Sequence, residues 1–215
     1  MSRIAVVGGH GKIALKLAKI LTDNGHEVTS LIRNPDQSAD IEKTGATAAV
    51  ADVESQTTPE IAGTVTGHDA VVFAAGAGGG DTDRTYAVDR DAAIRCVDAA
   101  VSAGVPRFVL VSYFGAGPDH GVSPDNSFYA YAEAKAEADQ HLKNSDLAWT
   151  IVAPSSLTDD AGTGSITTKE QGATGDSVSR DDVAAVIAAV LDTPSTAGRM
   201  IEFDKGDTPI ADALT

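Results

Sequence analysis

The sequence is short of several things, and each shortage removes a class of protein. Of its 215 residues one is cysteine, Cys96, so no internal disulfide can staple the chain. Cys96 lies in an apolar helical pattern and reads as a small core residue, with a reactive thiol as the alternative. Basic residues are outnumbered, 16 Lys and Arg against 31 Asp and Glu, which leaves a formal charge of −15. Nucleic acids and anionic membranes are held by basic surfaces, so neither partner is expected, and any phosphate must meet local cations. No run approaches the roughly 18 apolar residues of a membrane helix. Met1-Ser2-Arg3 leads directly into a short strand without a signal peptide's apolar segment, so a cytoplasmic location is expected. The acidity is spread along the chain as a solvated surface would be, and no metal-ligating cluster is read in it.

What is present is enough for one core. Hydrophobic residues make up 42% of the chain, which supports a single domain over 1–215, as a monomer or homodimer. Strand-like and helix-like segments alternate throughout, predicting an α/β fold with a doubly wound parallel sheet and flanking helices. Expected strands are 4–7, 27–32, 46–50, 70–75, 108–112, 149–152 and 199–203; expected helices start after Gly11 and cover 36–43, 59–61, 86–103, 126–143 and 181–191. The Gly/Thr/Ser-rich stretch 154–180 fits no regular element and reads as a substrate loop or small hairpin, a minimal C-terminal substrate region.

The first strand, Ile4-Ala5-Val6-Val7, runs into Gly8-Gly9-His10-Gly11 and then a helix with apolar positions Ile13, Leu17, Ile20 and Leu21. Glycines at such a turn let backbone N–H groups approach a phosphate, and the helix start faces it with positive charge. Two spacings fit: Gly9-x-Gly11-x-x-Ala14, the general dinucleotide fingerprint, and the looser Gly8-x-x-Gly11-x-x-Ala14. A P-loop is excluded, because Gly11-Lys12 is followed by Ile13 rather than Ser or Thr.

Ligands of open parallel sheets bind at the carboxyl ends of the strands. The second strand ends in Arg33, where an NAD site would offer an acid to the ribose 2′-hydroxyl. A guanidinium there can hold a 2′-phosphate bidentately, favouring NADP with NAD possible, and Lys12 or His10 could assist; the alternative is a solvated surface Arg. Asp52-Val53 follows strand three, where the carboxylate can accept from the adenine amino group or cap a helix. Ala74-Ala75-Gly76 at the end of strand four suits backbone passing close to a ribose, and the glycine-rich loop 76–80 reads as a flexible segment beside the cofactor. Tyr131 and Lys135, four apart on a helix, share one face. An ammonium beside a phenol lowers its pKa, so Tyr131 could move the proton that accompanies hydride transfer. Alternatively Tyr131 packs and Lys135 pairs with an acid such as Asp139.

Taken in order, Gly8-Gly9-His10-Gly11, Arg33, Asp52, Ala74-Ala75-Gly76, Val111-Ser112, Tyr131-x-x-x-Lys135 and Val152-Ala153-Pro154 resemble an atypical short-chain dehydrogenase/reductase. Within that family the chain is similar to the small single-domain NAD(P)-binding, epimerase/dehydratase-like proteins, related to the flavin/biliverdin reductase and nitrogen-metabolite-regulator groups. The ending, Ser179-Arg180-x-Asp182-Val183-Ala184 and Gly206-Asp207-Thr208-Pro209-Ile210, is similar too. The resemblance implies a Rossmann fold with bound NAD(P) at Gly8–Ile13, Arg33, Asp52, Val53, Ala74–Gly76 and Lys135, and a catalytic Ser, Tyr and Lys. It favours the Gly8, Gly11, Ala14 spacing, with Gly9 and His10 forming the bend. The family's second serine after strand five is here Tyr113, so Ser112 or the Tyr113 hydroxyl would have to serve. The Arg-Pro-Gly that commonly follows strand six appears as Ala153-Pro154-Ser155. The function implied is an NADP(H)-dependent oxidoreductase or epimerase for a small carbonyl or hydroxyl compound, or else a non-catalytic cofactor sensor.

Overall fold

The computed structural model describes residues 1–78 and 81–215; Gly79 and Gly80, part of the expected flexible loop, lie outside the described residues. The core is a sheet whose inner strands are apolar on both faces. In β1 (Arg3–Val7), Ile4 and Val6 enter one hydrophobic cluster while Ala5 and Val7 enter the other. The same alternation recurs in β4 (Ala70–Phe73), where Ala70 and Val72 oppose Val71 and Phe73. Period-two side chains that are apolar in both directions require cover on both sides. Helices α1 (Lys12–Asp23) and α7 (Arg180–Asp192) cover one face and pack on each other. Helices α3 (Thr58–Val65), α5 (Ala93–Ala103) and α6 (Tyr129–Lys143) contribute the apolar cover of the other.

With β2 (Glu27–Ile32), β3 (Thr47–Val50), β5 (Arg107–Val111) and β6 (Ala148–Pro154), the parallel part of the sheet runs β3-β2-β1-β4-β5-β6, and β10 (Arg199–Lys205) continues it beside β6. The doubly wound expectation holds. The order reverses between β1 and β4, which opens a crevice at the carboxyl ends of those two strands.

The largest departures from the expected elements fall at three places. The 86–103 helix begins earlier, as a short α4 (Thr82–Thr85) capped by the Asp81 carboxylate at 3.0 Å from the Arg84 N–H, and widens into a π-helical segment at Tyr86–Ala92 before α5. Strand four ends at Phe73, so Ala74–Gly76 leave the sheet toward the crevice. The 154–180 stretch is neither loop nor hairpin. Its β7 (Ser156–Thr158) and β9 (Ser177–Ser179) pair in parallel, and β8 (Ser165–Thr168) joins the main sheet antiparallel to β10, with β11 (Thr208–Pro209) on its outer side. Two carboxylates fix the connecting turns. Asp182 accepts from the Thr163 and Gly164 N–H groups at 3.0 and 2.8 Å, and Asp204 accepts from those of Thr174 and Gly175 at 2.8 and 3.0 Å. Among the described residues no helix is long and apolar enough to cross a membrane.

Candidate functional site

The glycine turn is tight because backbone leaves no room for side chains. Gly8 has φ +79°, and a Cβ on it would stand 2.6 Å from the Ala75 Cα. Gly9 is confined as well, with an added Cβ 2.6 Å from the Ser30 Cβ, so the bend itself has no room for a side chain at that position. Gly11 donates its N–H to the Gly8 carbonyl at 2.9 Å and caps α1 without a side chain. The first-turn N–H groups of α1, which have no partner within the helix, therefore stand at the crevice as an anion cradle.

One cavity of about 270 Å³ follows from the turn over the ends of β2 and β3. It is lined by Gly8–Gly11, Arg33, Asp52, Val53 and Ala74–Gly76, together with Glu54, Arg84 and Val88. The expected cofactor residues thus converge, with three exceptions, one of them Lys135, which lines the neighbouring cavity. The Lys12 ammonium is drawn instead to Asp159 at 2.7 Å, and Ile13 lines the neighbouring cavity. His10 lines the first cavity but its Nε2 lies 3.1 Å from Asp40. Arg33 meets Glu54 at 3.2 Å, and Arg84 approaches the same carboxylate oxygen at 3.5 Å. Asp52 does not cap a helix: it accepts from the Glu54 N–H and the Ser55 hydroxyl, and Thr57 caps α3 with Glu60. Arg84 and Glu54 carry no local sequence signal, since chain topology alone brings them to Arg33.

The second cavity, about 720 Å³, shares Ala74–Gly76 with the first and continues along β5 and α6. It brings the three expected catalytic residues together, with Ser112, Tyr131 and Lys135 all in its lining, beside Phe128, Pro154 and Leu157. Tyr113 is not in the lining. Its ring packs against Phe128 and Tyr131, with centroids 5.2 and 5.6 Å apart.

The electrostatics overturn one expectation. Lys135 is 1% exposed and donates to the Val111 carbonyl at 2.6 Å; burial pulls its pKa down, opposed by Asp139 and Asp89. The Tyr131 phenol is not made more acidic. Burial pushes its pKa up, and the carboxylates of Asp89 and Asp139 add to the rise. The Ser112 hydroxyl donates to Asp139 at 2.7 Å, and burial raises the pKa of that carboxyl despite Lys135 and Ser112. Asp89, a cavity residue within the π-helical segment, accepts from the Ala77 N–H at 3.0 Å and is likewise raised by burial. A local π widening is a frequent mark of functional sites. Asp89 had a faint sequence signal, as an acid on the same helix face as Ala92, Ala93 and Cys96.

Fold and crevice together define a Rossmann-type dinucleotide-binding protein. The chain belongs to the NAD(P)H-binding family, which it matches over residues 8–194. It is similar to the Bacillus subtilis protein named "Uncharacterized sugar epimerase YhfK", with 36% identity over 214 residues, covering 99% of this chain and 98% of that one. A solved structure from Bacillus halodurans, described as a "Putative NAD-dependent epimerase/dehydratase", superposes with a TM-score of 0.91 at 36% identity, covering 100% of this chain and 99% of that one. The oxidoreductase ylbE from Lactococcus lactis follows at a TM-score of 0.88 and 28% identity, with 99% and 94% covered. Family membership implies a nicotinamide cofactor, and the tight glycine turn with its free helix start fits one.

Proposed function

We propose that the protein is an NADP(H)-dependent oxidoreductase or epimerase acting on a small carbonyl or hydroxyl compound. The carrying observation is the meeting of the two cavities at Ala74–Gly76, with cations at the far end of one and a phenol in the wall of the other. Gly8–Gly11 and the start of α1 would hold the pyrophosphate, and Arg33 the 2′-phosphate. A bound nicotinamide supplies the hydride. Tyr131, kept protonated by its surroundings, would donate its proton to the carbonyl oxygen as hydride arrives at the carbon. Lys135 balances Asp89 and Asp139 and fixes the end of β5 through the Val111 carbonyl.

The test has two parts. NADPH and NADH are titrated against wild type and Arg33→Ala, where equal wild-type affinities would remove the phosphate role. Turnover is then measured on quinones, aldehydes and nucleotide sugars; Tyr131→Phe should lower it by about 10²-fold or more, and an unchanged rate would remove Tyr131 from the chemistry. A second reading, a cofactor sensor without turnover, is favoured by the internal engagement of Ser112 with Asp139 and Lys135 with Val111. NADPH binding with no oxidation on any compound would select it.

A further inference from the structure

Three charged side chains from separate parts of the chain meet at the rim of the first cavity. Arg33 follows β2, Glu54 follows β3, and Arg84 reaches in from α4 across the crevice. The Glu54 Oε2 lies 3.2 Å from the Arg33 Nη1 and 3.5 Å from the Arg84 Nε. The two flanking pieces are anchored independently of this contact. Arg84 donates from Nη1 to the Ala77 carbonyl at 2.7 Å, and Arg95 donates to the carbonyls of Val53 and Glu54 at 2.9 and 3.1 Å. What is left free to move is the Glu54 side chain, about one-third exposed, and the Arg33 guanidinium, which is more exposed still.

We infer that Glu54 is a tethered anion occupying the seat of the cofactor's 2′-phosphate, that Arg84 is the second cation of that seat, and that Glu54 thereby sets the preference for NADPH over NADH. The inference rests on the NADP reading above. A carboxylate held between two guanidiniums marks a place built for an anion. A phosphate dianion brings more charge and a third oxygen to the same donors, so it can displace the carboxylate. The displaced Glu54 loses both partners, and that loss is subtracted from NADPH affinity alone. NADH carries a neutral hydroxyl there and leaves the triplet intact. In this arrangement the carboxylate weakens phosphate binding, the reverse of an acid that accepts a hydrogen bond from the ribose.

The experiment uses the full chain and two fragments that differ only in the phosphate: adenosine 2′,5′-bisphosphate and adenosine 5′-monophosphate, titrated by calorimetry at fixed ionic strength. Glu54→Gln should tighten the bisphosphate by about three- to tenfold and leave the monophosphate unchanged. Glu54→Asp, which keeps the charge, should stay near wild type. Arg84→Ala should weaken the bisphosphate by about tenfold and spare the monophosphate. If Glu54→Gln changes neither fragment, tightens both equally, or weakens the monophosphate, the tethered-anion role is overturned; the last result would make Glu54 a ribose ligand. A wild type that binds both fragments equally while Glu54→Gln gains a bisphosphate preference supports the Glu54 role and defeats the NADP reading. A wild type that prefers the bisphosphate with no response to Glu54→Gln does the opposite.

Discussion

In the cavity beside the glycine turn, Arg33 is more than half exposed and its guanidinium meets another side chain, Glu54. In the adjoining cavity Lys135 is enclosed, and its ammonium is tied to a backbone carbonyl with two buried carboxylates near it. The two cations therefore answer to different energetics. An exposed pair contributes little to folding and can be exchanged for a ligand at small cost. A buried ion has given up its hydration, so its partners cannot leave without exposing an uncompensated charge. One half of the crevice is arranged for exchange and the other for permanence.

The largest expected effect tests the permanent half. Lys135→Met removes the cation and leaves Asp139, Asp89 and the Val111 carbonyl without it, which should cost about 3–5 kcal/mol of stability and lower the melting temperature by about 10 °C. Urea unfolding measures this directly. A loss below about 1 kcal/mol would show that the lysine is not part of the architecture.

Next comes the turn on which both halves depend. Gly8→Ala puts a side chain on a residue at φ +79° and a methyl 2.6 Å from the Ala75 backbone, so stability should fall by about 2–3 kcal/mol. The nucleotide should no longer bind at concentrations that saturate wild type. Retained affinity in a calorimetric titration would mean that the turn yields more than its geometry allows.

Arg33→Ala is the counterpart of the lysine change. Stability should stay within about 0.5 kcal/mol, while NADPH affinity falls by about tenfold and NADH affinity holds. Were Arg33→Ala to destabilise the fold as Lys135→Met does, the distinction between the two halves would collapse.

The same distinction governs what was legible in the sequence. The glycine turn, Arg33 and the Ala74–Gly76 end are short patterns at strand ends, and the doubly wound parallel class follows from alternating strand-like and helix-like segments. Tyr131 and Lys135 could be paired because one helix carries both. Glu54 and Arg84 could not be assigned in advance, since their partners stand on other elements, and Asp89 had only its place on an apolar helix face. The direction of the Tyr131 pKa failed because burial of the phenol decides it, with two carboxylates from outside the Tyr-x-x-x-Lys pattern adding to the rise. The β7, β8 and β9 strands are short, with one apolar residue each, and their pairing with one another and with β10, its turns held by Asp182 and Asp204, leaves no local pattern to read.

Cys96 gives the smallest effect and separates burial alone from burial with partners. It is 1% exposed in α5, and burial pushes its thiol from an ordinary value of 9.0 up to about 12. The folded protein keeps the thiol proton where the unfolded chain loses it. Its contribution is therefore fully present below pH 9.0 and is lost as pH rises toward about 12. At one pH unit above the ordinary value the loss is about 1 kcal/mol. Lys135, whose pKa burial lowers, bends the curve the other way, because there the unfolded chain binds the extra proton. The measurement is the slope of urea-unfolding free energy between about pH 8 and pH 10 in wild type and Cys96→Ala. The alanine costs both pH values the same cavity, and the other titrating groups cancel in the difference. Wild type should lose about 1 kcal/mol more than the variant over that interval, and identical slopes would mean that the thiol reaches water or a partner in the folded state.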